Sequence, residues 1–119
     1  MDHEFDMQKR KKGDVVLLDL AGSLTVGANE TTFKDAVNEL ISRKHNRIVV
    51  NLENVEFMDS SGIAVLIEGL KWSRERSIPF ILTHLTPSVQ MVMELAHLEG
   101  FFTIAENLDD ALALITQRC

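Results

Sequence analysis

Cysteine is almost missing from this 119-residue chain. Cys119 is the only one, so no intrachain disulfide can form, and a reducing compartment is expected. Basic residues are scarce, 12 against 18 acidic ones. The resulting net charge of −6 argues against direct nucleic-acid binding, which normally needs a basic face. Four basic residues do cluster at Lys9-Arg10-Lys11-Lys12, but Gly13-Asp14 follows them, and a solvated hairpin tip is the simpler reading. No apolar run approaches the ~20 residues that cross a bilayer. The polar start (Asp2, His3, Glu4, Asp6) also lacks the apolar core of a signal peptide. A cytoplasmic location without a membrane partner is expected.

The usual catalytic and metal signatures are missing as well. A serine nucleophile wants a histidine base that a carboxylate orients. Of the four histidines, His3 is near the polar start, His45 follows Arg43-Lys44 at a helix end, and His97 ends a helix in a structural role. His84 ends a strand, where a residue can face a site, but nothing marks it apart from a loop histidine. No strand–Gly-x-Ser-x-Gly–helix elbow occurs. No Cys or His pair has metal-ligand spacing, and neither phosphate-cradling glycine motif is present. Asp59 lacks the acidic neighbours and the later lysine that a phosphoacceptor aspartate of the receiver type requires. Trp72, Met91 and Met93 read as packing residues. The expectation is a chain with no catalytic residue, no metal and no cofactor.

What is present is alternation. Residues 5–11 read as a first strand, which Lys12-Gly13-Asp14 turns into Val15-Val16-Leu17-Leu18-Asp19-Leu20, a nearly continuous apolar run typical of a strand buried on both faces. Phe33, Ala36, Val37, Leu40 and Ile41 then follow helical spacing. The β-branched stretch 48–52 is a strand, with residues 53–58 as a loop after it. A helix over 62–71 carries Ile63, Leu66, Ile67 and Leu70. Pro79 opens a strand at 80–83, and Thr86-Pro87 starts a helix with Val89, Val92, Met93 and Ala96 inward. A short strand at 102–104 and a last helix capped by Asn107 complete the order. The prediction is one α/β domain over residues 1–119: an N-terminal strand pair, a mainly parallel sheet of about four or five strands, and about four helices.

One junction stands out. Between strand 48–52 and helix 62–71 lies Asp59-Ser60-Ser61-Gly62, where Asp59 or Ser60 caps the helix. A bare cap is the commoner role for such a string. Its position at the carboxyl end of a parallel strand, where ligands collect, favours a functional one. A helix N-terminus also carries partial positive charge and accommodates phosphate.

With these elements placed, the chain resembles the STAS-domain anti-sigma factor antagonists of bacteria, the anti-anti-sigma factors. The resemblance spans nearly the whole chain. It is carried by Leu20-Ala21-Gly22-Ser23-Leu24, Ile48-Val49-Val50-Asn51-Leu52, the string Phe57-Met58-Asp59-Ser60-Ser61-Gly62-Ile63, Leu98-Glu99-Gly100-Phe101-Phe102 and the closing Ala111-Leu112 helix. It implies phosphorylation at Ser60, the first hydroxyl residue after the aspartate, with Ser61 as the alternative. It further implies a partner surface of Asp59, Ser60, Ser61, Gly62, Ser23 and Thr25. The implied partners are an anti-sigma factor that is also a serine kinase and a metal-dependent serine phosphatase. ATP and metal belong to those partners, so this chain is not itself an enzyme and is expected as a monomer or weak dimer. Two other readings stand beside this one: a STAS subunit of a stressosome-like or transporter complex, and a small hydrolase pairing Ser60 with His84.

The chain departs from the family pattern at Thr25, where an aspartate is frequent, and at Ile63-Ala64, where Leu-Gly is frequent. Thr25→Asp is expected to raise the phosphorylation rate by a related anti-sigma kinase if a carboxylate there aids recognition. An unchanged rate in a phosphate-incorporation assay would mark the departure as neutral.

Overall fold

The computed structural model describes residues 5–25, 28–42, 47–98 and 100–116. Their elements run β1 (Phe5–Lys12), β2 (Val15–Leu24), α1 (Ala28–Ser42), β3 (Arg47–Met58), α2 (Ser60–Glu75), β4 (Phe80–Thr83), α3 (Pro87–Leu95), β5 (Thr103–Ala105) and α4 (Leu108–Thr116). The strands form one sheet in the order β1-β2-β3-β4-β5. β1 is antiparallel to β2, and the other neighbours are parallel. The α/β expectation therefore holds, with five strands and four helices among the described residues.

Successive side chains of a strand point to opposite faces, so a strand covered on both sides needs apolar residues at every position. Val15-Val16-Leu17-Leu18 and Ile48-Val49-Val50 meet that demand, and all seven are buried. Val16, Leu18, Ile48 and Val50 pack with Phe33 of α1, Leu66 of α2 and Met93 of α3 on one face. Val15, Leu17 and Val49 pack with Ala111 and Ile115 of α4 on the other. Three helices on one face follow from right-handed crossovers between strands laid down in sequence order. Only the last helix leaves for the opposite side.

Several sequence expectations are corrected here. The segment 53–58, read as a loop, continues β3 and pairs with β2 as far as Leu24↔Met58. Asp19↔Asn51 is followed by Ala21↔Asn54, and Gly22↔Val55 by Ser23↔Phe57, so β3 carries an extra residue at each of two bulges. Gly22 takes φ of 91° at the second bulge, a conformation that glycine adopts without steric cost. The basic residues Lys9–Lys12 lie within β1 itself and are exposed, with Gly13 in the turn that follows. Met91, expected in the packing, is 60% exposed, and Ala96 and His97 are exposed too. Met93 is buried and Trp72 packs at the core's margin, as expected. His3 and His45 lie outside the described residues, as does the side chain of Ile41.

A polar row crosses the α4 face beyond its apolar patch, through the register partners Asp19, Asn51 and Thr83. The Asp19 carboxylate accepts hydrogen bonds from Arg10 and, at 2.9 Å, from Asn51 Nδ2. Asn51 Oδ1 in turn accepts from the Glu53 amide at 3.0 Å, which pins the first bulge. Burial pushes the Asp19 carboxyl up, but the bonds from Arg10 and Asn51 and the Arg10 charge outweigh it. The net effect holds Asp19 below the ordinary carboxylate range. A depressed folded-state pKa contributes stability that is present above the unfolded value of about 4 and lost as pH falls through the lower folded value. Asp19→Asn should therefore lower the urea midpoint at neutral pH, and the gap from the parent should close below about pH 4. Paired urea titrations at the two pH values check this.

Candidate functional site

The junction between β3 and α2 lies where β2 and β3, still paired, run on past the ends of β4 and β5. At their shared end the Asp59 amide donates to the Leu24 carbonyl at 3.3 Å, tying the start of α2 to the end of β2. Asp59 is in extended conformation and is the N-cap. Its Oδ1 accepts from the Ser61 amide at 2.9 Å and the Gly62 amide at 3.2 Å. The amide of Asp59 and those of the next three residues are the donors a helix start leaves without intrahelical partners. Three of these four are now engaged. The fourth, the Ser60 N–H, has no partner among the described residues.

Gly62 is required at the third helical position. A Cβ there would stand 2.6 Å from Met58 Cγ and 2.7 Å from the Leu24 carbonyl oxygen. The side chain could yield, but the carbonyl belongs to the backbone that also receives the Asp59 amide. Gly62 thus lets α2 begin directly against the end of β2. Ile63 and Leu66 then enter the core under the sheet.

The predicted site residues separate into two groups. Ser60 occupies the first helical position, is exposed, and its hydroxyl makes no hydrogen bond among the described residues. Asp59, Ser61 and Thr25 are half-buried, the first two flanking it in the chain and Thr25 following the Leu24 that receives the Asp59 amide. Ser23 is only 2% exposed, and Gly62 is buried under the Leu24 carbonyl. These two shape the turn from beneath and offer a partner no accessible side-chain surface. Sequence reading passes over Phe57, which is 51% exposed at the end of β3, next to Met58 and the cap. In the sequence it figures only as part of the family string.

No hydrogen bond links Ser60 to His84 among the described residues. The His84 ring instead contacts Thr83 Oγ1 through Nδ1 at 3.1 Å. Also among these residues, no group of three or more His, Cys, Asp or Glu side chains could hold a metal ion. No helix is long and apolar enough to cross a membrane.

The model of the STAS domain matches residues 6–111, which takes in the sheet except for Phe5, and the junction. The chain belongs to the STAS domain family. This STAS chain is 23% identical, over 94% of both sequences, to the anti-sigma F factor antagonist of Paenibacillus polymyxa. Its fold superposes with a TM-score of 0.83 on a putative anti-sigma factor antagonist from Thermotoga maritima, at 24% identity, covering 92% of this chain and 94% of that one. The phosphorylated form of the Bacillus cell fate determinant SpoIIAA superposes with a TM-score of 0.73 at 20% identity, covering 92% and 99%.

A Cβ at position 62 would meet backbone that cannot turn aside, so Gly62→Ala in this STAS domain is expected to cost about 1–3 kcal/mol. Urea unfolding of the two proteins measures it. An unchanged midpoint would show that α2 and the Leu24 carbonyl part without penalty.

Proposed function

We propose that this chain is an anti-sigma factor antagonist that works by partner switching. In this reading the unphosphorylated protein binds an anti-sigma factor that is also a serine kinase, and a sigma factor is thereby freed. Phosphorylation of Ser60 ends the binding, and a metal-dependent serine phosphatase restores it. The chain acts as a regulator rather than an enzyme, as one domain over residues 1–119, in the cytoplasm, and as a monomer or weak dimer. The observation that carries the reading is the exposed hydroxyl of Ser60 at the first position of α2 in a STAS chain. The names of its relatives support the same role.

Electrostatics explain why one phosphate would suffice. A phosphoserine carries roughly −1.5 to −2 charge at neutral pH. At Ser60 it would meet the positive end of α2 and the unengaged Ser60 N–H, so the domain can hold it folded. In a complex the same charge, beside Asp59, must lose water. A penalty of ~3 kcal/mol there would weaken binding about a hundredfold. Switching then operates at the interface and leaves the fold intact.

Three variants test this with a kinase assay and calorimetry against the anti-sigma factor. Ser60→Ala should abolish phosphorylation and keep binding, giving a constantly active antagonist. Ser60→Asp should weaken binding, because even one added charge must be desolvated. Ser61→Ala should remain phosphorylatable. Label persisting in Ser60→Ala but vanishing from Ser61→Ala would overturn the assignment. Recovery of membrane transporter subunits in place of an anti-sigma factor would move the chain to a different STAS role.

A further inference from the structure

A second site lies away from Ser60, where the helices change sides. α3, which follows β4, packs into the same core as α1 and α2, whereas α4, which follows β5, covers the opposite face. The carboxyl ends of two adjacent parallel strands whose helices leave in opposite directions form the crevice where open α/β sheets bind ligands. A cavity of about 300 Å³ occupies that position here. Its size lies at the lower end of small-molecule sites.

The lining has the composition of a binding site rather than of a packing defect. Leu85, Met93, Ile104 and Ala105 supply apolar walls, and three side chains from three different segments supply polarity. His84, just after β4, adopts φ of 55°, lines the cavity and places its Nδ1 3.1 Å from Thr83 Oγ1. Gln90 of α3 uses its Nε2 on Glu94 at 3.4 Å, which leaves its amide oxygen to accept. Glu106, just after β5, makes no hydrogen bond or ion pair among the described residues. It also lines a second, more open cavity of about 390 Å³ with Asp110, so the negative charge extends across the mouth. Acceptors and anionic charge thus line a partly apolar cavity whose lining includes no lysine or arginine.

We propose that this crevice binds a small, flat organic cation of the amidinium or guanidinium type. Its N–H groups would bond to the Glu106 carboxylate and the Gln90 oxygen, and its apolar body would lie between the His84 ring and Ile104. A planar cation with several donors satisfies a carboxylate and a neighbouring oxygen together, which a compact ammonium does less well. An anion would face the uncompensated charge of Glu106, and a neutral amide would forgo the charge-assisted bond.

Benzamidine is the probe, with benzamide and benzoate as neutral and anionic controls of the same shape. Each is titrated into the full chain while backbone amide NMR shifts are followed. Saturable shifts at His84, Gln90, Ile104 and Glu106 with benzamidine, at least tenfold weaker for benzamide and absent for benzoate, are expected. Glu106→Gln, an exposed isosteric change, should weaken benzamidine at least tenfold without altering the rest of the spectrum. Absence of saturable shifts with benzamidine, equal response to benzoate, or unchanged binding by Glu106→Gln would each overturn the proposal. The readout does not involve Ser60, so its failure leaves the switching role untouched.

Discussion

The close approach of α2 to the end of β2 is the constraint on which the rest of the site depends. Two contacts enforce it: the Asp59 amide on the Leu24 carbonyl, and the bare Cα of Gly62 against that same oxygen. Both contacts come from the first turn of α2 and seat it on the end of β2, with Asp59 as its cap and Ser60 outside the packing. Ser60 is exposed at the first position of α2, directly after that joint.

The long reach of β2 and β3 serves the same end. β4 and β5 stop at the level of Asn51, in Thr83 and Ala105, whereas β2 and β3 continue to Leu24 and Met58. The bulges add twist and bend the pair, and the Asn51 side chain steadies the first by accepting the Glu53 amide. From the other side, Thr86 Oγ1 donates to the Val55 carbonyl at 3.2 Å while it also accepts the Val89 amide as the cap of α3. The extension is thereby braced by the next helix.

Much of the architecture was legible because parallel strands buried on both faces leave a plain record. The runs at Val15 and Ile48 and the helical stripes at Phe33 and Ile63 fix element type from burial alone. The cap at Asp59 and the caps at Thr86 and Asn107 were legible for a local reason, since short oxygen-bearing side chains at helix starts answer a local hydrogen-bond need. The second half of β3 was not legible. Each bulge breaks the period-two alternation, so its buried residues fall at Leu52, Val55 and Met58, a spacing of three that no simple strand has. The exposure of Met91 was hidden for a related reason. Helical spacing groups residues by face, but whether a neighbour covers that face is a property of the whole packing.

By itself, the sequence determined the class of fold, the order of its elements and the position of a hydroxyl pair at a helix start. Those features depend on interactions between residues close along the chain, or on how many apolar residues a strand presents. Only the tertiary structure decided which hydroxyl is reachable, that Ser23 lies beneath the turn, and that Gly62 is needed for contact with a distant carbonyl. It also brought His84, Gln90 and Glu106 around one crevice, although they belong to three segments with no common motif. Such facts arise from strands and helices that meet only after the chain has folded, and no local pattern encodes them.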